Sequence, residues 1–230
     1  MKKLMMIAAM MVAAVSVNAQ FEPGTFSIQP KLGGVGAMLS NMPDLNLGTV
    51  ASNNVSLDKT AVGGGIIGVE AEYQLTDMFS VAAGASYSMQ GSAWEDYEDK
   101  VSGATFKIKD AKIDLGYINV PVVANAYLFK GFAVKTGVQF GFLTRAKMKA
   151  TASLEQGSST LTYDIDESFK DNCKKFDVSI PVGVSYQFKV PIVIDARYNI
   201  GLTKVNKESD GHKDYRNQVF QLTVGYKFKL

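Results

Sequence analysis

Apolar side chains return at every second position along most of this chain, a period that belongs to strands with one apolar and one polar face. From Phe132 to Arg145, one face carries Phe132, Val134, Thr136, Val138, Phe140 and Phe142. The other carries Ala133, Lys135, Gly137, Gln139, Gly141 and Arg145, with Leu143 the one large apolar exception. The same alternation runs through Asp177 to Phe188, Ile192 to Thr203 and Phe220 to Leu230, and more weakly through Phe26 to Leu39, Gly63 to Leu75, Phe79 to Gln90 and Ile113 to Phe129. Eight antiparallel strands are predicted. Pro30, Pro121 and Pro181 fall inside them, and each must sit at a bulge or forgo one ladder bond.

The connections sort by length. Thr76-Asp77-Met78, Lys130-Gly131 and Lys189-Val190-Pro191 are short, whereas residues of about 40–62, 91–112, 148–175 and 204–217 form long polar links. Short turns on one side and long loops on the other are the arrangement of an up-and-down transmembrane barrel. No later apolar run has the length of a spanning helix, but strands cross a bilayer once they close and satisfy every backbone group.

The polar face decides which way the strands point. Gly33, Gly68, Gly84, Gly137, Gly141, Gly183, Gly201 and Gly225 lie on it, and glycine on a solvated strand surface packs nothing. Inside an eight-stranded barrel, where the bore barely admits side chains, small residues are required. The apolar face therefore points to lipid. It carries no charge in any of the eight strands, while a one-residue slip would turn Lys31, Glu70, Glu72, Lys135, Asp177, Asp195, Arg197 and Lys227 outward, at a total on the order of ten kcal/mol. Aromatics gather beside the short turns: Tyr73, Phe79, Phe132, Tyr186, Phe188, Tyr226 and Phe228 are read as an interfacial girdle.

The first residues read as an export signal. Lys2 and Lys3 precede an apolar run from Leu4 to Val15, and Val17-Asn18-Ala19 offers a cleavage site between Ala19 and Gln20. Residues 1–19 are thus assigned to a signal peptide and 20–230 to one barrel domain. No cysteine flanks that junction to carry a lipid. Without Lys2 and Lys3 the chain holds 22 basic and 22 acidic residues, so no charge excess points to nucleic acid. Cys173 is the only cysteine, which excludes an internal disulfide.

Tyr117-Ile118-Asn119-Val120-Pro121-Val122-Val123, followed by Ala133-Val134-Lys135-Thr136-Gly137, resembles the central strand pair of the PorT-like outer-membrane β-barrel family of Bacteroidetes. Asp195-Ala196-Arg197-Tyr198-Asn199-Ile200-Gly201-Leu202 is similar to that family's most recognisable segment, and Gly225-Tyr226-Lys227-Phe228 to its closing strand. Asn119 departs from the acidic residue expected there. The resemblance, over about residues 26–230, implies a barrel in the bacterial outer membrane. It leaves the function open, since only some members serve protein secretion.

Residues with chemical potential divide into two groups. Lys31, Glu70, Glu72, Lys135, Gln139, Arg145, Asp177, Asp195, Arg197 and Lys227 are expected to form a polar network in the lumen, because unpaired charge there is costly. The rest lack the partners that catalysis or metal binding needs. His212, three residues after Ser209, is the only histidine, and a glycine turn does not hold such a pair as a dyad. One histidine and one cysteine cannot make a zinc site, and Asp96, Glu98 and Asp99 beside Trp94 lack the spacing of a calcium loop. Gly63-Gly64-Gly65 precedes no helix and no phosphate-binding lysine. The expectation is a monomeric, non-enzymatic barrel without cofactor, metal or catalytic residues. Its lumen is plugged and its outer loops serve a scaffold or surface-interaction role. A minor solute channel and an accessory part of a secretion system are the alternatives. Its surroundings would be outer-membrane lipid and lipopolysaccharide, the machinery that inserts barrels, and an extracellular or secretion-system protein partner.

Overall fold

The structure, a computed structural model, describes residues 22–50, 53–101, 103–207 and 214–230. The signal-peptide assignment, with Ala19 and Gln20, lies outside them, as do Ser209 and His212. Eight long strands form the wall: β1 (Phe26–Ser40), β2 (Val62–Gln74), β3 (Phe79–Trp94), β4 (Ala104–Phe129), β5 (Phe132–Gln156), β6 (Phe176–Gln187), β7 (Ile192–Gly201) and β8 (Arg216–Tyr226). Each pairs antiparallel with its sequence neighbour, and β8 pairs with β1 from Lys31↔Gly225 to Ser40↔Arg216. The ring is closed and has no edge. A short strand at Phe228–Lys229 continues the closure against β1.

The three prolines sit where the ladder is interrupted. Pro30 lies between the pairs Ile28↔Phe228 and Lys31↔Gly225, and the Lys227 N–H donates to Pro191 O instead. Pro121 falls in the gap between Val122↔Ala83 and Asn119↔Ser86. Pro181 falls between Val182↔Thr136 and Ser179↔Gln139. Each removes a bond on one side and keeps regular pairing on the other, which is how a closed wall tolerates a residue without an N–H.

Outward positions from the short turns up to Phe142, Phe176 and Ile118 are apolar apart from Thr136, and none is charged. Phe132 to Phe142 spans about 34 Å along the strand, or roughly 25 Å once tilted, the height of a lipid-facing band. All seven predicted girdle aromatics stand on this outer surface at the short-turn end. Tyr186 meets Phe188 at 4.9 Å and Tyr226 meets Phe228 at 4.6 Å between ring centroids. Phe129, stacked on Phe132 at 4.7 Å, and Phe26, paired with Tyr73, join them.

The long connections are folded, contrary to the expectation of polar loops. Leu45–Val50 and Asn53–Leu57 make a hairpin. β4 and β5 continue far above the apolar band and are flanked by Tyr97–Val101 and Ser159–Ser168, so that four strands stand as a sheet beyond the barrel. Apolar residues from these connections and from the upper ends of the wall strands close the outer mouth. Leu39, Met42, Leu57, Trp94, Leu115, Leu143, Cys173 and Val205 are buried together. Trp94 is only 8% exposed, and its indole N–H donates to Pro43 O at 3.2 Å. Leu143, the exception in the alternation, is thus one of the wall's contributions to an apolar cap, with Leu39, Trp94 and Leu115.

Candidate functional site

Register places a glycine beside four long charged side chains of the lower lumen. Lys31 lies between Gly68 and Gly225, Glu70 faces Gly84, and Gly183 separates Lys135 from Arg197. A Cβ at Gly183 would stand 2.4 Å from Ala196 O and 2.9 Å from Arg197 Cγ, and one at Gly225 would stand 2.4 Å from the Gln29 amide nitrogen. A larger residue would fill the space that Arg197 uses at Gly183 and that Gln29 uses at Gly225.

Those chains meet in one network. Lys31 Nζ donates to Glu70 Oε2 at 2.6 Å, and Arg197 Nη2 reaches both oxygens of Glu70 at 2.8 and 2.9 Å. Arg197 Nε donates to Asp195 Oδ1 at 2.7 Å, while Lys135 Nζ donates to Asp195 Oδ2 at 2.6 Å and stands 3.7 Å from Glu70. Nearer the short turns, Lys227 pairs with Glu72 at 2.8 Å, and Glu72 also accepts from Tyr127 and from Ser80 Oγ at 2.7 Å. Every one of these side chains is almost fully buried. Charge-assisted bonds of this length, with Glu70, Asp195, Arg197 and Glu72 each engaged more than once, are what permit ionised groups away from water.

Higher in the bore the network thins. Asp177 accepts from Thr203 Oγ1 at 2.6 Å and from Asn217 Nδ2 at 3.4 Å, and Gln139 Nε2 reaches Ser179 Oγ at 3.4 Å. Asn119, where an acidic residue was expected, donates to Ser88 Oγ at 2.8 Å. Asn199, Gln221 and Thr223 bury polar atoms without a protein partner among the described residues.

Arg145 does not belong to this network. The pairing shifts between Gly116↔Arg145 and Tyr117↔Leu143, leaving Thr144 as an extra residue on β5. That bulge exchanges the faces, so Ala146 turns inward and Arg145 outward, where its Nη2 binds both oxygens of Asp114 at 2.7 and 2.8 Å. The other nine predicted lumen residues are buried inside the wall. Tyr127, Ser80 and Gln187 were missed. Tyr127 stands on the polar face of β4 in register with Asn119 and Asn125, which is a readable signal for an inward phenol.

Outside the bore, the acidic residues near Trp94 are engaged locally. Asp96 accepts from the Asp110 N–H at 3.1 Å, Asp99 from Tyr97 at 3.2 Å, and Glu98 lies 3.9 Å from Lys107. No group of acidic, histidine or cysteine side chains able to hold a metal occurs among the described residues. None of the described helices is long and apolar enough to cross a membrane.

A closed ring of eight antiparallel strands, apolar outside and charged inside, defines an integral β-barrel of the bacterial outer membrane. Residues 18–207 match the outer membrane protein beta-barrel domain, and the chain belongs to that family. No curated protein matches the chain significantly. Among solved structures it is similar to the attachment invasion locus protein Ail of Yersinia pestis, at 12% identity and a TM-score of 0.39, with 90% of this chain and 99% of that one covered. Neisserial surface protein A gives 16% identity and a TM-score of 0.41 over 88% and 97% of the two chains. The outer membrane protein OprG of Pseudomonas aeruginosa gives 11% and 0.39 over 92% and 99%.

Proposed function

We propose that this outer-membrane barrel is a closed scaffold that works through the structure it raises above the membrane, and that its lumen does not conduct. One observation carries the reading. A cross-linked network of Lys31, Glu70, Lys135, Asp195 and Arg197 fills the lower bore under an apolar cap. An ion entering from either side would have to break buried charge pairs or desolvate among aliphatic side chains, and both are costly. Eight strands also leave little bore once side chains fill it. No cofactor, metal or catalytic group enters the reading, and the barrel acts as a monomer with a protein partner outside the cell.

The finer affiliation is part of the proposal. Support for a PorT-like barrel comes from Asp195 to Leu202 and Gly225 to Phe228, which supply Asp195, Arg197 and Lys227 to the network and its closing strand. Support for an exported precursor cut after Ala19 comes from the Lys2-Lys3 start and the Val17-Asn18-Ala19 ending of the apolar run.

Reconstitution of the purified chain into planar bilayers tests the closed lumen. The expected record has no discrete current steps at any ionic strength. Reproducible unitary steps from the unaltered protein would replace the scaffold with a solute channel.

A further inference from the structure

The sheet that β4 and β5 raise above the barrel ends in a free edge. Ser159–Ser168 pairs with β5 from Ser159↔Gln156 to Ser168↔Lys147 without a register shift. Its other side pairs with nothing among the described residues. The edge is ten residues long, about 33 Å. Natural sheets blunt such edges with proline, lysine, bulges or brevity. Proline, lysine, a bulge and brevity are all absent from Ser159-Thr160-Leu161-Thr162-Tyr163-Asp164-Ile165-Asp166-Glu167-Ser168, whose only charges are the carboxylates Asp164, Asp166 and Glu167 in its second half.

The two faces of this edge differ. Leu161 and Tyr163, 74% and 71% exposed, continue a surface with Leu154 on β5 and so extend the apolar side of the sheet into solvent. Three carboxylates and no basic residue lie along the same strand. Asp166 is engaged by Lys147 at 2.9 Å, and Asp164 accepts only from Thr151 Oγ1 at 2.8 Å. The two-residue turn at Gly157–Ser158 sets the phase of the ladder, so Thr160, Thr162, Asp164 and Asp166 direct their N–H and C=O groups to the open side.

We infer that Ser159–Ser168 is a docking strand that adds an extended segment of another protein, one that alternates apolar with basic residues. Main-chain bonds from the even-numbered residues supply the affinity, as in other cases of strand addition. The shelf of Leu161, Tyr163 and Leu154 receives the partner's apolar side chains, and Asp164 and Glu167, which form no ion pair among the described residues while Asp166 is held by Lys147 and Lys149, select its cations. A second copy of this chain fits less well than a basic segment, since its strand would bring three further carboxylates and no cation of its own to the seam, where like charges repel. The inference rests on the surface-interaction reading above and names its site and the chemistry of its partner.

The test uses the full-length protein in zwitterionic micelles and a fluorescent peptide of alternating lysine and valine, with a glutamate–valine peptide as control. Anisotropy should show saturable binding of the lysine peptide alone. Thr162→Pro deletes one open-side donor without touching the ladder to β5 and should weaken binding about tenfold. Asp164→Lys, which leaves the backbone intact, should weaken it as well, and both variants should keep the mobility shift of a folded barrel on unheated gels. The inference falls if neither peptide binds, if both bind alike, if Thr162→Pro folds and binds unchanged, or if copies of the protein pair through this strand. Absent binding together with a silent bilayer would remove the docking strand and leave the closed scaffold standing. Current steps would remove the scaffold whatever the peptide does.

Discussion

Glu70 is the carboxylate on which Lys31, Lys135 and Arg197 converge. Glu70→Ala would leave those three buried cations sharing the one remaining carboxylate, Asp195. We expect it to destabilise the barrel by about 3–5 kcal/mol, read as an earlier midpoint of urea unfolding in micelles; a change within about 0.5 kcal/mol, typical of a surface site, would show the network to be structurally idle. Cys173 gives a pH-dependent readout of the cap. Burial pushes its thiol up to about 11 from an ordinary value near 9, so the folded chain holds this proton more tightly than the unfolded one. That contribution is complete below pH about 9 and is lost as pH rises through about 11. At pH 8 the folded protein should react with a maleimide far more slowly than the urea-unfolded chain, and fast labelling at pH 8 would show that the cap is open. At this scale the sequence was legible where alternation was unbroken. Nine of ten lumen side chains follow from counting by two. Arg145 does not, because the extra Thr144 exchanges the faces and no local composition marks a bulge.

Elements are governed by the same period. Thr144 is an insertion between two regular stretches of β5, and its removal returns Leu143, Arg145 and Ala146 to simple alternation with every side chain on its present face. Its loss forfeits the bond from Thr144 Oγ1 to Gly116 O at 2.9 Å and little else. Deletion of Thr144 should therefore yield a folded barrel, whereas deletion of Val138 should not. Without Val138, either Phe140 and Phe142 turn into the bore or Lys135 and Ala133 turn into lipid. Outer-membrane yield and heat-modifiable mobility check the pair, and equal behaviour of the two deletions would contradict a register set by alternation. The strands of the wall were readable because one side meets hydrocarbon and must exclude polar groups. Above the apolar band that demand lapses. Tyr97–Val101 and Ser159–Ser168 mix charge with isolated apolar residues, and their pairing comes from hairpin geometry and from contacts over the mouth that single-sequence periodicity does not record.

For the whole molecule, closure of the ring is the property that the membrane enforces, since every wall strand has two partners and no polar edge meets lipid. A barrel closed by the β8–β1 pairing should migrate anomalously on a denaturing gel unless boiled, and identical migration before and after heating would contradict the ring. The cap gives a second check at this scale. Trp94→Ala empties a buried site that binds the Leu45–Leu57 hairpin to the wall through Pro43, and we expect a loss of about 3–5 kcal/mol confined to the outer half. Faster hydrogen exchange in residues 42–50 and 53–57 with unchanged exchange in β6 and β7 is the expected pattern, and uniform acceleration would argue against a separable cap. The raised sheet has one further consequence. Its central strands are the same polypeptide as the wall, with no linker between hydrocarbon and water. A load applied at the Gly157 hairpin tip would be resisted by β4 and β5 sliding past each other, not by an unravelling tether, and a spin label there would report the slow rotation of the entire embedded body.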